Sequence, residues 1–423
     1  MTAVSADGHY FVDQYGQPLL IRGDSPWSLL TDLSPDEAAD YLADRQRLGF
    51  NSVIVSLLGS VGNGGPSDDG STFDGLTPFE GQGITHLSAR YWQRAHDYLK
   101  LAADHGITVF LYPIDAWIVG RSFRPQDISE CGDYGTQVAH LFADLPNIVW
   151  LAGGDYRPDA RPLSRGSDVD HCVDAMMRGI RSTGDNRPFS IQLGFVGANV
   201  TTEDPFWRSR VDWNFVYTYF PTYNAVLAAR ASAPRSLPVV LGEANYEREN
   251  NQPTTPATTN ATLRRQVMWA LTCGASGDFY GSSDWSFPAG WSSRLDSTGA
   301  REVNRLRDLV AGLAWWKLVP DVGGAFISAG RGKPVAPDAE LDVLDSDLAT
   351  AALASDGSFA LIYVPTSRTL KLDLSRLRGA KEATWIDPST GARTRAAPTS
   401  SYQTPGLNHD GDEDWILLLS PRR

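Results

Sequence analysis

Eight short apolar runs, separated by stretches of helical periodicity, constrain this 423-residue chain more than any other feature. They fall at residues 19–23, 51–58, 107–114, 148–151, 189–193, 215–220, 238–241 and 277–281. Runs of this length with little polar alternation predict strands buried on both faces, as in parallel sheet. Between them the spacing predicts helices over 35–48, 88–105, 131–143, 168–181, 225–231, 262–271 and 302–313. The first is punctuated explicitly: Ser34 as cap, Pro35 in the first turn, Glu37 three residues after the cap, and Gly49 at the stop. Parallel strands need crossover connections, and eight such units predict an α/β fold closed as a (β/α)8 TIM barrel. The competing arrangement is an open doubly wound sheet, and the lack of a Gly-rich phosphate loop after an early strand counts against it.

A hairpin over residues 9–21 leads into the first run. A Gly-, Ser- and Asp-rich stretch at 59–86 is longer than a compact domain needs, so it is expected to be a functional loop over the barrel mouth. Beyond about residue 320 the pattern changes to strand-like runs at 340–348, 350–353, 359–364, 369–374, 380–386 and 415–419, with turns such as Asp387-Pro388-Ser389-Thr390-Gly391 between them. That predicts a small all-β sandwich. The expected domains are a catalytic barrel over 1–319 and a C-terminal β-sandwich over 320–423.

Two of the apolar runs end in the same way. Ile148 to Leu151 is followed by Ala152-Gly153-Gly154-Asp155, and Val239 to Leu241 by Gly242-Glu243. In α/β barrels the chemistry sits where the strands end, so both acids are expected at the mouth. A pair of carboxyl groups facing one another is what glycoside cleavage requires. The plainer roles are a helix cap or a partner to Arg157 for Asp155, and displacement by Glu247 for Glu243. Asp24 and Asp115 end the first and third runs, where each either binds sugar hydroxyls or caps the next turn. Trp27, Trp117, Tyr219, Tyr246, Tyr280 and Trp285 are candidate walls of a sugar pocket, because aromatic faces stack on the C–H faces of sugars. Core packing competes with that role at each of them.

Composition narrows the partners. A net charge of -13 argues against a nucleic-acid partner and suits a neutral substrate. The three cysteines, Cys131, Cys172 and Cys273, show no disulfide framework or zinc spacing, so they are expected as small buried core residues. No His pair stands at ligand spacing, and neither a metal nor a cofactor is expected. No window reaches the apolar length of a membrane span. No secretory h-region follows Met1, so the expectation is a cytoplasmic protein or a mature form with its signal removed.

Several segments resemble one family. Tyr10-Phe11-Val12-Asp13 with Gly16-Gln17-Pro18, Gly23-Asp24-Ser25-Pro26-Trp27, and residues 41–50 are similar to the opening of apiosidase-like glycoside hydrolases (glycoside hydrolase family 140). So are Trp150-Leu151-Ala152-Gly153-Gly154-Asp155, Gly242-Glu243-Ala244-Asn245-Tyr246-Glu247 and Ala314-Trp315-Trp316. The tail, with Trp385-Ile386-Asp387-Pro388, resembles the β-domain, classed as collagen-binding, that follows the barrel in these proteins. The resemblance implies a (β/α)8 barrel that removes apiose from pectin side chains with an Asp and a Glu, roles that fall on Asp155 and Glu243. Where relatives often have Gly-His-x-Tyr-Gly, this chain has Gly277-Asp278-Phe279-Tyr280-Gly281, and Asp278 is expected near the mouth.

By analogy with other barrel glycosidases, Asp155 is the expected acid/base and Glu243 the expected nucleophile. The expected partner is an oligo- or polysaccharide, attacked by a retaining exo-glycosidase. A non-catalytic carbohydrate- or matrix-binding protein and an endo-acting glycosidase are the competing readings.

Overall fold

The computed structural model describes residues 3–156, 162–164, 167–194, 200–251, 257–337, 339–379, 381–397 and 399–421. The eight runs form eight strands of one sheet: β1 (Ile21–Asp24), β2 (Ser52–Ser56), β3 (Thr108–Tyr112), β4 (Ile148–Tyr156), β5 (Phe189–Leu193), β6 (Asn214–Tyr217), β7 (Val239–Glu243) and β8 (Gly277–Tyr280). Every pairing within it is parallel, in the order β5-β4-β3-β2-β1-β8-β7-β6. The two outermost strands meet through a backbone hydrogen bond and several from side chains. Asp212 N donates to Phe189 O at 2.8 Å, and Ser190 Oγ donates to Trp213 O at 2.7 Å. Thr201 Oγ1 donates to Ile191 O at 2.7 Å and accepts from Phe215 N at 3.1 Å, so one hydroxyl stitches the seam.

Among the described residues seven helices of more than ten residues wrap this near-closed barrel: α1 (Pro35–Leu48), α2 (Ala89–Asp104), α3 (Ile128–Leu141), α4 (Val169–Ser182), α5 (Thr222–Ser232), α6 (Asn260–Thr272) and α7 (Thr298–Ala311). The start of α1 is a full capping box between Ser34 and Glu37, and Gly49 ends it with φ of 92°. A residue with a Cβ is strained in that left-handed conformation.

The strand alternation sorts side chains into two sets. Ile21, Ile54, Phe110, Val149, Leu151, Phe215, Val240 and Phe279 fill the barrel interior. Their strand neighbours face the helices. The N-terminal hairpin closes the interior at the end where the strands start: Phe11 packs edge-on against Phe110 at 6.2 Å and Trp213 at 6.0 Å.

The C-terminal part is all antiparallel. A six-stranded sheet runs in the order Leu318–Pro320, Thr350–Ala354, Ala360–Val364, Trp415–Pro421, Lys381–Ile386, Arg393–Ala396. A three-stranded sheet of Ile327–Ala329, Thr369–Leu372 and Ser401–Gln403 shares its core. Its first strand begins at Leu318, inside the span assigned to the barrel from sequence. The run at 340–348 is not a strand; it holds a short 3-10 turn, Val343–Asp345, capped by Asp342. The sandwich docks on α6. Arg264, wholly buried, reaches Glu302 at 2.7 Å, Asp412 at 2.6 Å and Asp414 at 3.0 Å, and Trp269 Nε1 donates to Leu348 O at 2.9 Å.

All three cysteines are buried in the core as expected, but two of them are not free. Cys131 and Cys172 form a disulfide with a Cα–Cα distance of 5.4 Å, and only Cys273 is a free buried thiol. The cause is close packing of α3 on α4. At Gly135 a Cβ would lie 2.1 Å from Met176 O, and at Gly179 one would lie 2.1 Å from Gly132 O. Glycines facing backbone bring the two helices near enough to bridge, and cysteine count and spacing do not report that.

Candidate active site at the strand ends

Both acids identified from sequence stand at strand ends, and each follows an irregularity in the ladder. Between the pairs Ile191–Ala152 and Leu193–Tyr156, β4 has Gly153, Gly154 and Asp155 where β5 has Gln192 alone. The extra residues bulge the strand. Gly153 makes this possible: with φ of 106°, a Cβ there would sit 1.9 Å from Gln192 O. Asp155 then takes φ of 56°, a left-handed conformation that Asp tolerates better than most residues.

On β7 the register steps between Val216–Leu241 and Tyr217–Glu243, leaving Gly242 as one extra residue. Val240 faces the interior and Leu241 the helices, so strict alternation would turn residue 243 outward. The bulge reverses this and presents Glu243 to the interior. Gly242 has no room for a side chain, because a Cβ would overlap the Phe215 ring at 2.1 Å.

Glu243 is 7% exposed and is held at both oxygens. Gln192 Nε2 donates to Oε2 at 2.6 Å, and Tyr219 OH donates to Oε1 at 3.1 Å. Behind each donor stands a tyrosine. Tyr112 OH donates to Gln192 Oε1, and Tyr217 and Tyr219 share a hydroxyl contact at 2.7 Å. Burial pushes the Glu243 carboxyl well above the ordinary glutamate range, the Asp155 charge pushes it further, and the bonds from Gln192 and Tyr219 oppose both. The Asp155 charge also acts on Tyr112, Tyr217 and Tyr219, so the two acids share one electrostatic neighbourhood.

Trp27 Nε1 donates to Tyr246 OH at 3.0 Å, and Trp27 packs on Tyr112 with ring centroids 5.0 Å apart. Trp285 borders the same cluster and donates from Nε1 to Glu249 Oε1 at 2.9 Å. The long loop after β2 passes close to two of the expected wall residues. A Cβ at Gly62 would be 2.4 Å from Trp117, and one at Gly64 would be 2.9 Å from Trp285. Trp27, Trp117, Tyr219, Tyr246 and Trp285 are thus gathered around the strand ends.

Asp24, Tyr280 and Asp278 are not. Each has the outward parity of its strand. Asp24 accepts from Tyr41 OH at 2.6 Å and Arg45 Nη1 at 3.0 Å, beneath α1. Tyr280 OH donates to Glu247, and Glu247 also accepts from Ser297 Oγ at 2.6 Å, so the competing glutamate is tied to the start of α7. Asp278, expected near the mouth, instead holds Arg307 at 2.6 Å between β8 and α7, with both side chains fully buried. Asp115 does lie at the end of β3, but its carboxylate is fully engaged. Oδ1 accepts from Trp117 N at 2.9 Å and Ile118 N at 3.1 Å, and Oδ2 from Ser56 Oγ at 2.7 Å and Asn63 Nδ2 at 2.8 Å. It caps the turn after β3 and ties down the loop after β2. Arg157 lies outside the described residues.

Sequence reading missed Gln192 and Tyr112. Gln192 had a signal: an amide at an inward position near the end of an otherwise apolar strand has to have a polar partner. Among the described residues, no group of three or more His, Cys, Asp or Glu side chains could hold a metal ion.

A near-closed parallel barrel with two acids grouped at its strand ends defines the class: an O-glycosidase of the barrel type. The chain belongs to the apiosidase-like family, because residues 5–317 match the family described as "Apiosidase-like, catalytic domain". Residues 339–420 match "Putative collagen-binding domain of a collagenase". Solved structures agree on the fold. A family 5 glycoside hydrolase from Bacteroides vulgatus superposes with a TM-score of 0.81 at 23% identity, over 99% of this chain and 92% of that one. Another structure, described as a glycoside hydrolase, gives 0.77 at 20% identity, over 99% and 96%. A β-L-arabinopyranosidase from Geobacillus stearothermophilus, in complex with arabinose, gives 0.54 at 8% identity, over 96% and 97%. No curated protein matches the chain.

Proposed function

We propose that this glycoside hydrolase acts on chain ends with retention, releasing an apiose-like or arabinose-like furanosidic sugar from plant or microbial polysaccharide. The observation that carries the reading is the fixing of both Glu243 oxygens, by Gln192 and Tyr219, in the neighbourhood of Asp155. In the first step Glu243 attacks the anomeric carbon while Asp155 protonates the departing glycosidic oxygen. The product is a glycosyl ester on Glu243. Asp155, now a carboxylate, then takes a proton from water, which attacks the ester and releases the sugar with its original configuration. This route needs the carboxyls about 5–5.5 Å apart.

The raised pKa of Glu243 bears on the division of roles. Taken alone it would make Glu243 the acid. Two facts favour the opposite assignment. The Tyr112 bond to Gln192 Oε1 turns the Gln192 amide so that an N–H faces Glu243, making Oε2 an acceptor. The Asp155 contribution to the shift also disappears when Asp155 holds the proton, as a general acid must. Asp155 is the more exposed carboxyl, as suits a group that exchanges protons with water and leaving group.

Exo action rests on the loop at 59–86, which runs against Trp117 and Trp285 and supports a mouth walled on that side. The Cys131–Cys172 bridge supports work in an oxidising compartment rather than in a reducing cytoplasm. The test is a screen of aryl glycosides and cell-wall oligosaccharides beside a Glu243→Gln control. Release of single sugars from a furanoside, abolished by the substitution, is expected. Mid-chain cleavage, or undiminished activity in the variant, would overturn the reading.

A further inference from the structure

At the opposite end of the barrel, where the strands begin, a cavity of about 210 Å³ opens between the N-terminal hairpin, α5, α6 and the first sandwich strand. Its place is fixed by Gly274 and Ser276, just before β8, so it is remote from the strand ends that carry Asp155 and Glu243. Its lining mixes aromatic rings with cations. Tyr10 and Trp315 meet edge to face at 5.8 Å, Trp316 stands beside them 39% exposed, and Arg230 and Lys317 contribute positive charge.

Arg230 is the unusual member. It is half-buried at the end of α5. Among the described residues its guanidinium makes one hydrogen bond, Nη1 to Gly274 O at 3.3 Å, and no ion pair. Burial lowers its pKa. A chain with 50 acidic and 37 basic residues has carboxylates to spare, yet none among the described residues is set against this arginine. Lys317 pairs with Asp356 at 2.7 Å. Asp7, the carboxylate in the lining, is turned to Ser5 Oγ at 2.6 Å and His9 N at 3.2 Å. A guanidinium with most of its donors unused, in a polar cavity, suits a carboxylate, which it can grip with two parallel bonds. Aromatic rings alongside suit the C–H face of a sugar.

We propose that this cavity is a second, non-catalytic carbohydrate site that takes a sugar ring bearing a carboxylate, a uronic acid residue, with Arg230 on the carboxylate and Trp316 on the ring. The site is independent of the reaction proposed above and would anchor an acidic polysaccharide while the mouth works on a neutral branch. The experiment is titration of the full chain with methyl galacturonoside, methyl galactoside and acetate, followed by ligand-observed NMR. Wild type and Glu243→Gln should bind the uronoside equally. Arg230→Gln and Trp316→Ala should each weaken it at least ~10-fold, and the neutral sugar should bind at least ~10-fold more weakly. Thermal melting checks the fold of each variant, and Trp316, being exposed, keeps the test open if the Arg230 variant is unstable. Absence of binding, equal affinity for the neutral sugar, full competition by acetate, loss in Glu243→Gln, or no loss in the variants at Arg230 and Trp316 would each overturn the proposal.

Discussion

Gln192 Nε2 lies 2.6 Å from Glu243 Oε2, and Tyr112 holds the far end of the same amide, so the donor cannot turn away. The contact pulls the Glu243 pKa down against burial and against the Asp155 charge. Replacing Gln192 with Leu removes the donor at similar volume. The acidic limb of kcat/KM should then move to higher pH, with kcat reduced ~10-fold. A pH–rate profile of the variant checks this, and an unmoved limb would show that the amide only fills space.

Asp115 makes a separate prediction about pH and stability. Burial lifts its carboxyl to about 6 even though four donors surround it. The folded value lies above the unfolded one, so this contribution to stability is complete below about pH 4 and is lost as pH rises through about 6. Asp115→Asn does not titrate. Urea melts should therefore show wild type losing about 2–3 kcal/mol relative to the variant between pH 4 and pH 7. A difference that stays flat would mean that Asp115 titrates normally.

Asp24 is expected to behave as a structural acid. Asp24→Ala removes the carboxylate 3.0 Å from Arg45 Nη1 and leaves this guanidinium, 1% exposed, with Asp44 as its remaining ion-pair partner. Stability should fall by roughly 1.5–3 kcal/mol, while KM of the folded enzyme stays within about twofold of wild type. A large rise in KM at unchanged stability would return Asp24 to the substrate.

How far the sequence discloses this arrangement turns on parity. The barrel, its eight strands and the positions of Asp155 and Glu243 were legible because apolar runs and the glycines after them survive in the one-dimensional pattern. Asp24 lies three residues after inward-facing Ile21, and Tyr280 directly after inward-facing Phe279, so counting by twos already sends both outward. Glu243 breaks the same count, since the Gly242 bulge that turns it inward is visible only once Tyr217 is seen opposite it. Gln192 signals its need for a polar partner by its inward parity, but not which partner it has. Its partners, Tyr112 and Glu243, are 80 and 51 residues away, and closure of the barrel is what brings them together.

The disulfide is testable without any substrate. Unfolded under non-reducing conditions, the chain should present one thiol to a maleimide, Cys273, and three after reduction. The bridge spans 41 residues, so chain entropy assigns it about 4 kcal/mol. Cys131→Ser with Cys172→Ser should lower the melting temperature accordingly. Three reactive thiols without reductant would remove both the bridge and the argument for an oxidising compartment.

The pairing of Asp155 with Glu243 is tested most directly by azide rescue of Asp155→Ala, on whichever aryl glycoside the wild type cleaves. With Glu243 as nucleophile, azide should raise the rate at least ~10-fold and yield a glycosyl azide of retained configuration by NMR. A glycosyl azide of inverted configuration, or rescue by azide in Glu243→Ala but not in Asp155→Ala, would contradict the assignment of the two carboxyl groups.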